Sequence, residues 1–329
     1  MTLTSLAYRR LRIPKDAPFE LRPSSPGKGW GGFATRLIKQ GEQILKEEPL
    51  FVIPKPTQYI TNEDLWAAFR RLTPADQGQF LLLRDNAKQP FMMSKEAFAE
   101  NSFALPAKFG HGLFLVHSRF NHSCLPNATV PASSNDIITL VAIEDIMAGE
   151  EITFCYNNDF ECKIRCERHK ILRFVCNCKA CLVGTPFQQL SDVRRRFIRG
   201  LIYLTAGAGI DGKSQDSSSS VIADHRLREA ADNLSIPLSN RLIYLLLTLY
   251  LLEEEGLLDY LMRERFEPPV VVTSSLFQTE SNAEIVKTAM AQKTWQGKML
   301  IAFRLYGRHD AADESLPEML RMLRMLRSA

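Results

Sequence analysis

The sequence has no long apolar run, no block of like charge and no internal repeat, and five of its seven cysteines crowd between Cys162 and Cys181. Each shortage excludes something. The opening residues MTLTSLAYRRLRIPKD hold no apolar core of the kind a secretory leader carries. The most apolar stretch, Leu242 to Leu252, is about half the length that spans a bilayer and ends in Glu253, Glu254 and Glu255. A net charge of +4 over 329 residues is too small to demand nucleic acid or an anionic membrane as partner. The chain is therefore expected to be intracellular and monomeric, without membrane or direct nucleic-acid binding. With no clear basic localisation run, nucleus and cytoplasm both stay open. Hydrophobic content of 45% and charged content of 24% describe a globular protein, with length for one large domain or two.

Organisation follows from periodicity. Residues 1–55 read as strands and turns: Leu45 to Ile53 is apolar and closes at Pro54, and glycines punctuate the stretch before it. Residues 56–105 change character. Thr61 or Asn62 is placed to cap a helix carrying Leu65, Trp66, Phe69 and Leu72, with Trp66 expected as a core anchor, and Ser94 to cap another through Phe98. Strand signals return at 111–156, notably Ile137 to Ile143 and Ile152 to Tyr156. After Cys181 the spans 190–208, 224–234, 240–265 and 283–306 carry apolar residues at helical spacing, interrupted by a polar loop at 209–220.

Cys176, Cys178 and Cys181 form C-x-C-x2-C, and such crowding in a reducing compartment favours metal over disulfides. Tetrahedral structural zinc wants a fourth ligand, for which Cys166, Cys162, His169 and the distant Cys124 are all candidates. Four thiolates leave no open position for water, so such a metal is structural. Residues 119–128 read RFNHSCLPNA. A thiol nucleophile built from Cys124 and His122 lacks a visible third group to orient it.

RFNHSCLPNA resembles the N-H-S-C-x-P-N signature of SET-domain protein-lysine methyltransferases. Two further pieces fall in that family's order: GKGWGGFA (Gly27 to Ala34) is similar to its G-x-G-W-G motif, and GEEITFCYN (Gly149 to Asn157) to its G-E-E-[IL]-T-[FY]-x-Y stretch. The match covers roughly residues 19–182. It implies an α+β fold of small sheets with a helical insert and a pseudoknot-like core, followed by an all-α domain. The boundaries implied are a SET domain over 1–187, with its variable insert at 56–105 and a post-SET segment at 162–187, and a helical domain over 188–329. It implies S-adenosylmethionine held by Lys28, Gly29, Trp30, Asn121, His122 and Tyr156, with Tyr156 catalytic and Phe154 in the substrate channel. It also selects Cys124 as the fourth ligand of one structural zinc with Cys176, Cys178 and Cys181. No zinc-finger cysteines stand between the first strands and the insert, so the chain looks SMYD-like, or like a fungal SET protein, without a MYND finger. Cys155 stands where many members carry aspartate.

The expected activity is methylation of a protein lysine, histone tail or other. A catalytically silent scaffold that binds a peptide or partner protein is the alternative, and methylation of a small amine a weaker third. GKGWGG also satisfies the dinucleotide fingerprint G-x-G-x-x-G, with Glu47 about 20 residues on. That reading requires a buried strand before the glycines and a helix after them, whereas RPSSP precedes them here. The C-terminal Arg321, Arg324 and Arg327 are read as a solvated helix face.

Overall fold

A computed structural model describes residues 11, 13–25, 28–81, 83, 95–105, 109–131, 136–157, 159–206 and 238–262. The chain divides into two compact units, one running to Tyr156 and including Leu172–Val175, the other holding Asn157–Ile171 and the chain from Cys176.

The first unit is built from three small sheets. Strand β1 (Phe19–Pro23) pairs antiparallel with β2 (Trp30–Ala34) through a turn in which Ser24 N donates to Gly29 O at 2.8 Å. Gly29 sits at φ +77°, a conformation that costs a side-chain-bearing residue but not glycine. A strand, not a helix, follows the glycines, which removes the dinucleotide reading. Pro23 is tolerated because β1 is the edge strand of the order β1-β2-β10-β7, where β7 is Asn121–His122 and β10 is Glu151–Phe154.

The apolar run 45–53 divides in two. Strand β3 (Gln43–Glu47) pairs with β9 (Ile138–Ala142), whereas β4 (Phe51–Ile53) pairs with β6 (Gly110–Leu113) in another sheet. Pro49 lies at the break and cannot donate to a ladder. The remaining strands are β5 (Ser102–Leu105), beside β6, and β8 (Ala128–Thr129), beside β9. Phe19, Ile38, Leu45, Phe120, Leu140, Ile152 and Phe154 share one core cluster.

The insert forms α1 (Asn62–Phe69), α2 (Pro74–Phe80) and α3 (Lys95–Asn101). Thr61 is the cap of α1: its hydroxyl accepts from Asp64 N while the Asp64 carboxylate accepts from Thr61 N. The insert's helical character stops at Asn101, since residues 102–105 are strand. Trp66 is 45% exposed and is not the core anchor expected. Leu65 takes the inward position of that turn, leaving Trp66 edge-on to Phe69 at 5.7 Å.

In the second unit α4 (Arg165–Leu172) precedes the long α5 (Pro186–Ala206) and α6 (Leu238–Glu255). Glu255, fully buried on α6, is held by Ser191, Arg194 and Arg195 of α5. The 240–265 run is interrupted after Glu255 and turns helical again at Tyr260. Gly256 at φ +78° and the Leu257 N to Leu252 O bond of 2.8 Å close α6 as a left-handed cap. No described helix is long and apolar enough to cross a membrane. The loop at 209–220, the spans 224–234 and 283–306, Ser94 and the C-terminal arginines lie outside the described residues.

Candidate active site and cysteine cluster

Two sequence motifs 30 residues apart are joined by one short parallel ladder. Strand β7 lies beside β10 with Asn121 opposite Thr153 and His122 opposite Phe154. Asn127 extends that join: its Nδ2 donates to Glu151 O at 2.9 Å and its Oδ1 accepts from Thr153 N at 2.8 Å. β7 is only two residues long, so these side-chain bonds supply the pairing that a longer strand would provide. On the other side β10 pairs with β2, placing Ile152 opposite Gly32. A Cβ on Gly32 would stand 2.6 Å from Phe120 Cδ1, so only glycine lets the Phe120 ring cross the strand there.

The Glu151 carboxylate gathers the polar groups. Its Oε1 accepts from Ser24 Oγ at 2.7 Å and from Asn121 Nδ2 at 2.7 Å, and its Oε2 pairs with Lys28 Nζ at 3.5 Å. Asn121 Nδ2 also donates to Trp30 O at 3.1 Å. Lys28, Gly29, Trp30 and Asn121 are thereby brought to one place.

His122 is buried, and its Nδ1 accepts from Tyr156 N at 3.2 Å. A backbone N–H can only donate, so Nδ1 carries the lone pair and the proton of a neutral ring sits on Nε2, 3.2 Å from Cys124 Sγ. With both nitrogens engaged, His122 is not a base. Tyr156, 38% exposed overall, turns its hydroxyl onto the backbone and donates to Phe120 O at 2.9 Å. Burial of that end, and then the Glu151 charge, push the phenol pKa well above its usual range. Its ring lies 5.0 Å from Phe154, which stacks on Phe103 at 5.8 Å, while Phe174 meets His122 edge-on at 6.1 Å.

Cys176, Cys178 and Cys181 stand together in the second unit, three sulfurs close enough to share one metal ion at metal–sulfur bonds of about 2.3 Å. Cys178 N lies 3.5 Å from Cys176 Sγ, and Arg168 Nη2, fully buried, lies 3.3 Å from Cys181 Sγ. Cys162, Cys166 and His169, the other candidates for a fourth ligand, are outside the group.

The sequence reading missed Glu151, Asn127, Phe120 and Arg168. Glu151 had a signal, as the carboxylate that opens β10 at the heart of a motif. Arg168 had none.

A family model described as SET domain matches residues 29–157. Histone-lysine N-methyltransferase set5 of Schizosaccharomyces pombe is 32% identical over 180 residues, 52% of this chain and 53% of that protein. Protein-lysine N-trimethyltransferase SMYD5 of Homo sapiens is 44% identical over 82 residues, 22% of this chain and 19% of that one. Histone-lysine N-methyltransferase SMYD3 of Homo sapiens is 37% identical over 97 residues, 26% and 22% of the two chains. The chain thus spans about half the length of set5 and about a fifth of the others. Gly29, Trp30, the parallel β7–β10 join and Tyr156 all fall within the matched residues, and Lys28 one position before them. Residues 29–157 match the SET domain model, and the chain is similar in part to the lysine methyltransferases named set5, SMYD5 and SMYD3.

Proposed function

We propose that this chain is an S-adenosylmethionine-dependent protein-lysine N-methyltransferase, acting as a monomer on histone or other protein lysines in nucleus or cytoplasm. The observation that carries the reading is Tyr156. One phenol is held protonated, fixed by its bond to Phe120 O and flanked by Phe154 and His122, on the chain segment that also ties Asn121 to the glycine turn.

S-adenosylmethionine supplies a methyl group on a positively charged sulfur. The residues present fit it: a Cβ on Gly29 would meet nothing within 4 Å, and Lys28 and Trp30 flank that opening beside Asn121. Only a neutral amine can attack. With an ordinary lysine pKa near ~10.4, deprotonation at pH 7.4 costs about 4 kcal/mol. Burial among aromatic side chains beside a positive charge offsets that cost, because both disfavour the ammonium. Bound beside Lys28, Gly29, Trp30 and Asn121, the donor would supply the methyl carbon to the lysine nitrogen and would keep the carbon–sulfur electron pair on its own sulfur. Tyr156, which stays protonated, steadies the approach and takes no proton. Phe154 bears no hydroxyl to pin a water, which leaves room for higher methylation states.

We assign one structural zinc to Cys124, Cys176, Cys178 and Cys181; four thiolates leave it no open position. We also read residues 1–187, with the 162–187 segment, as the SET module and 188–329 as the helical domain.

The test is methyl transfer from labelled donor to a lysine peptide array, beside calorimetry with S-adenosylhomocysteine. Tyr156→Phe is expected to lower turnover at least tenfold, about 1.4 kcal/mol of barrier, with product affinity kept within about threefold. Equal turnover in that variant removes Tyr156 from the mechanism. Binding without transfer to any lysine would leave the chain a scaffold.

A further inference from the structure

The amide of Asn121 has two donor hydrogens and one acceptor oxygen, and both hydrogens are committed. Nδ2 lies 3.1 Å from Trp30 O and 2.7 Å from Glu151 Oε1, and neither partner has a hydrogen to give. A carbonyl and a carboxylate cannot be satisfied by the amide oxygen. The orientation is therefore forced by chemistry, where an asparagine beside hydroxyls or water would be free to flip. No described residue donates to Oδ1.

We propose that Glu151 is a positioning residue for the methyl donor: it locks the Asn121 amide so that Oδ1, an acceptor only, faces the ligand. The group received there is an N–H donor, which S-adenosylmethionine carries as its ammonium and its adenine amine. The inference rests on the donor-site reading given above.

Three observations converge on Glu151 beyond that bond. Ser24 Oγ donates to the same Oε1 at 2.7 Å, so the carboxylate is also held from the glycine turn. Lys28 Nζ stands 3.5 Å from Oε2 and pairs with the carboxylate from the other side. Gly31 leaves the space: a Cβ there would fall 2.8 Å from Asn121 Nδ2 and nearer still to Oε1. A glutamine at 151 has nearly the same shape but adds a donor, so it accepts either orientation of the Asn121 amide.

The experiment is calorimetric titration of S-adenosylhomocysteine into the full chain, its Glu151→Gln and Ser24→Ala variants, each checked by thermal unfolding. Glu151→Gln is expected to weaken affinity at least tenfold, and Ser24→Ala less than threefold. Equal affinity in Glu151→Gln overturns the proposal. So does an equal loss in Ser24→Ala, which would make the carboxylate an anchor of the glycine turn alone. If Glu151→Gln lowers the unfolding temperature, the amide resonances of Asn121 decide instead. Two hydrogen-bonded Nδ2 protons, slow to exchange in the parent and faster in the variant, support the lock, and fast exchange in the parent overturns it. Failure of the parent chain to bind would instead defeat the donor-site reading itself.

Discussion

A pair of glycine-to-alanine changes separates the close packing at the site from the general behaviour of glycine. Gly31→Ala and Gly78→Ala add the same methyl group and restrict the unfolded chain equally, so that contribution cancels between them. Gly78 lies inside α2 and its added Cβ would meet nothing within 4 Å. The substitution should stabilise by about 0.5–1 kcal/mol, the usual helical advantage of alanine. At Gly31 the added Cβ drives into Glu151 and Asn121. Overpacking of this kind costs about 1–3 kcal/mol. The bonds from Ser24 and Asn121 to the carboxylate, worth about 1.5–3 kcal/mol each, must lengthen or break. Glu151's side chain is 18% exposed, so it can swing toward water and recover part of this loss. The net expectation is about 2–3 kcal/mol of destabilisation. At about 2–4 °C per kcal/mol for a unit of this size, that lowers Tm by roughly 5–10 °C while Gly78→Ala raises it slightly. Thermal and urea unfolding of the two variants measure it. A Gly31→Ala chain within about 0.5 kcal/mol of Gly78→Ala would refute the packing argument.

Other consequences can be checked separately. Because the phenol of Tyr156 ionises more reluctantly than a free tyrosine, the stability it contributes is full below pH ~10 and falls as pH rises through its folded value. The alkaline slope of a stability–pH curve should therefore shrink in Tyr156→Phe, and an unchanged slope would place the hydroxyl elsewhere. With the His122 Nδ1 lone pair taken by Tyr156 N–H, the pH–rate profile should follow deprotonation of the peptide lysine alone. A second ionisation in that profile, lost when His122 is replaced, would restore His122 as a base. Elemental analysis should find one zinc per chain, lost in Cys178→Ser and kept in Cys166→Ser, whose sulfur lies outside the cluster. Arg168→Met should speed metal transfer to a chelator about tenfold or more, since it removes the buried donor to Cys181 Sγ; an unchanged rate would make that guanidinium a packing group alone.

Much of the fold was legible because local rules and tertiary packing agree along these stretches. Thr61 and Asp64 spell a capping box three residues apart, and the helix starts there. The alternation of Ile138 to Ala142 buries every second residue in a sheet, as its pattern requires. Where the reading went astray, one residue was outweighed. Pro49, next to Lys46, Glu47 and Glu48, marks a break inside the stretch Leu45 to Ile53 that separates strands of different sheets. Trp66 was taken inward on size, although the helical stripe through Leu65 and Phe69 leaves it on the outer edge. Ser102–Leu105 continues an apolar helix in sequence, and only pairing with Gly110–Leu113 makes it a strand.

The site divides along the same line. Asn121, His122 and Tyr156 stand out because each lies in a short run whose residue order is itself a pattern, and the structure draws those runs together. Glu151 lies in such a run as well, but its action is visible only across the chain: its partners are 127, 30 and 123 residues away. A sequence can mark a carboxylate as out of place on an apolar strand. It does not say which amide that carboxylate turns, and the direction of the amide decides whether Asn121 offers a ligand a hydrogen or a lone pair. That choice emerges only once Gly31 has let the two side chains meet.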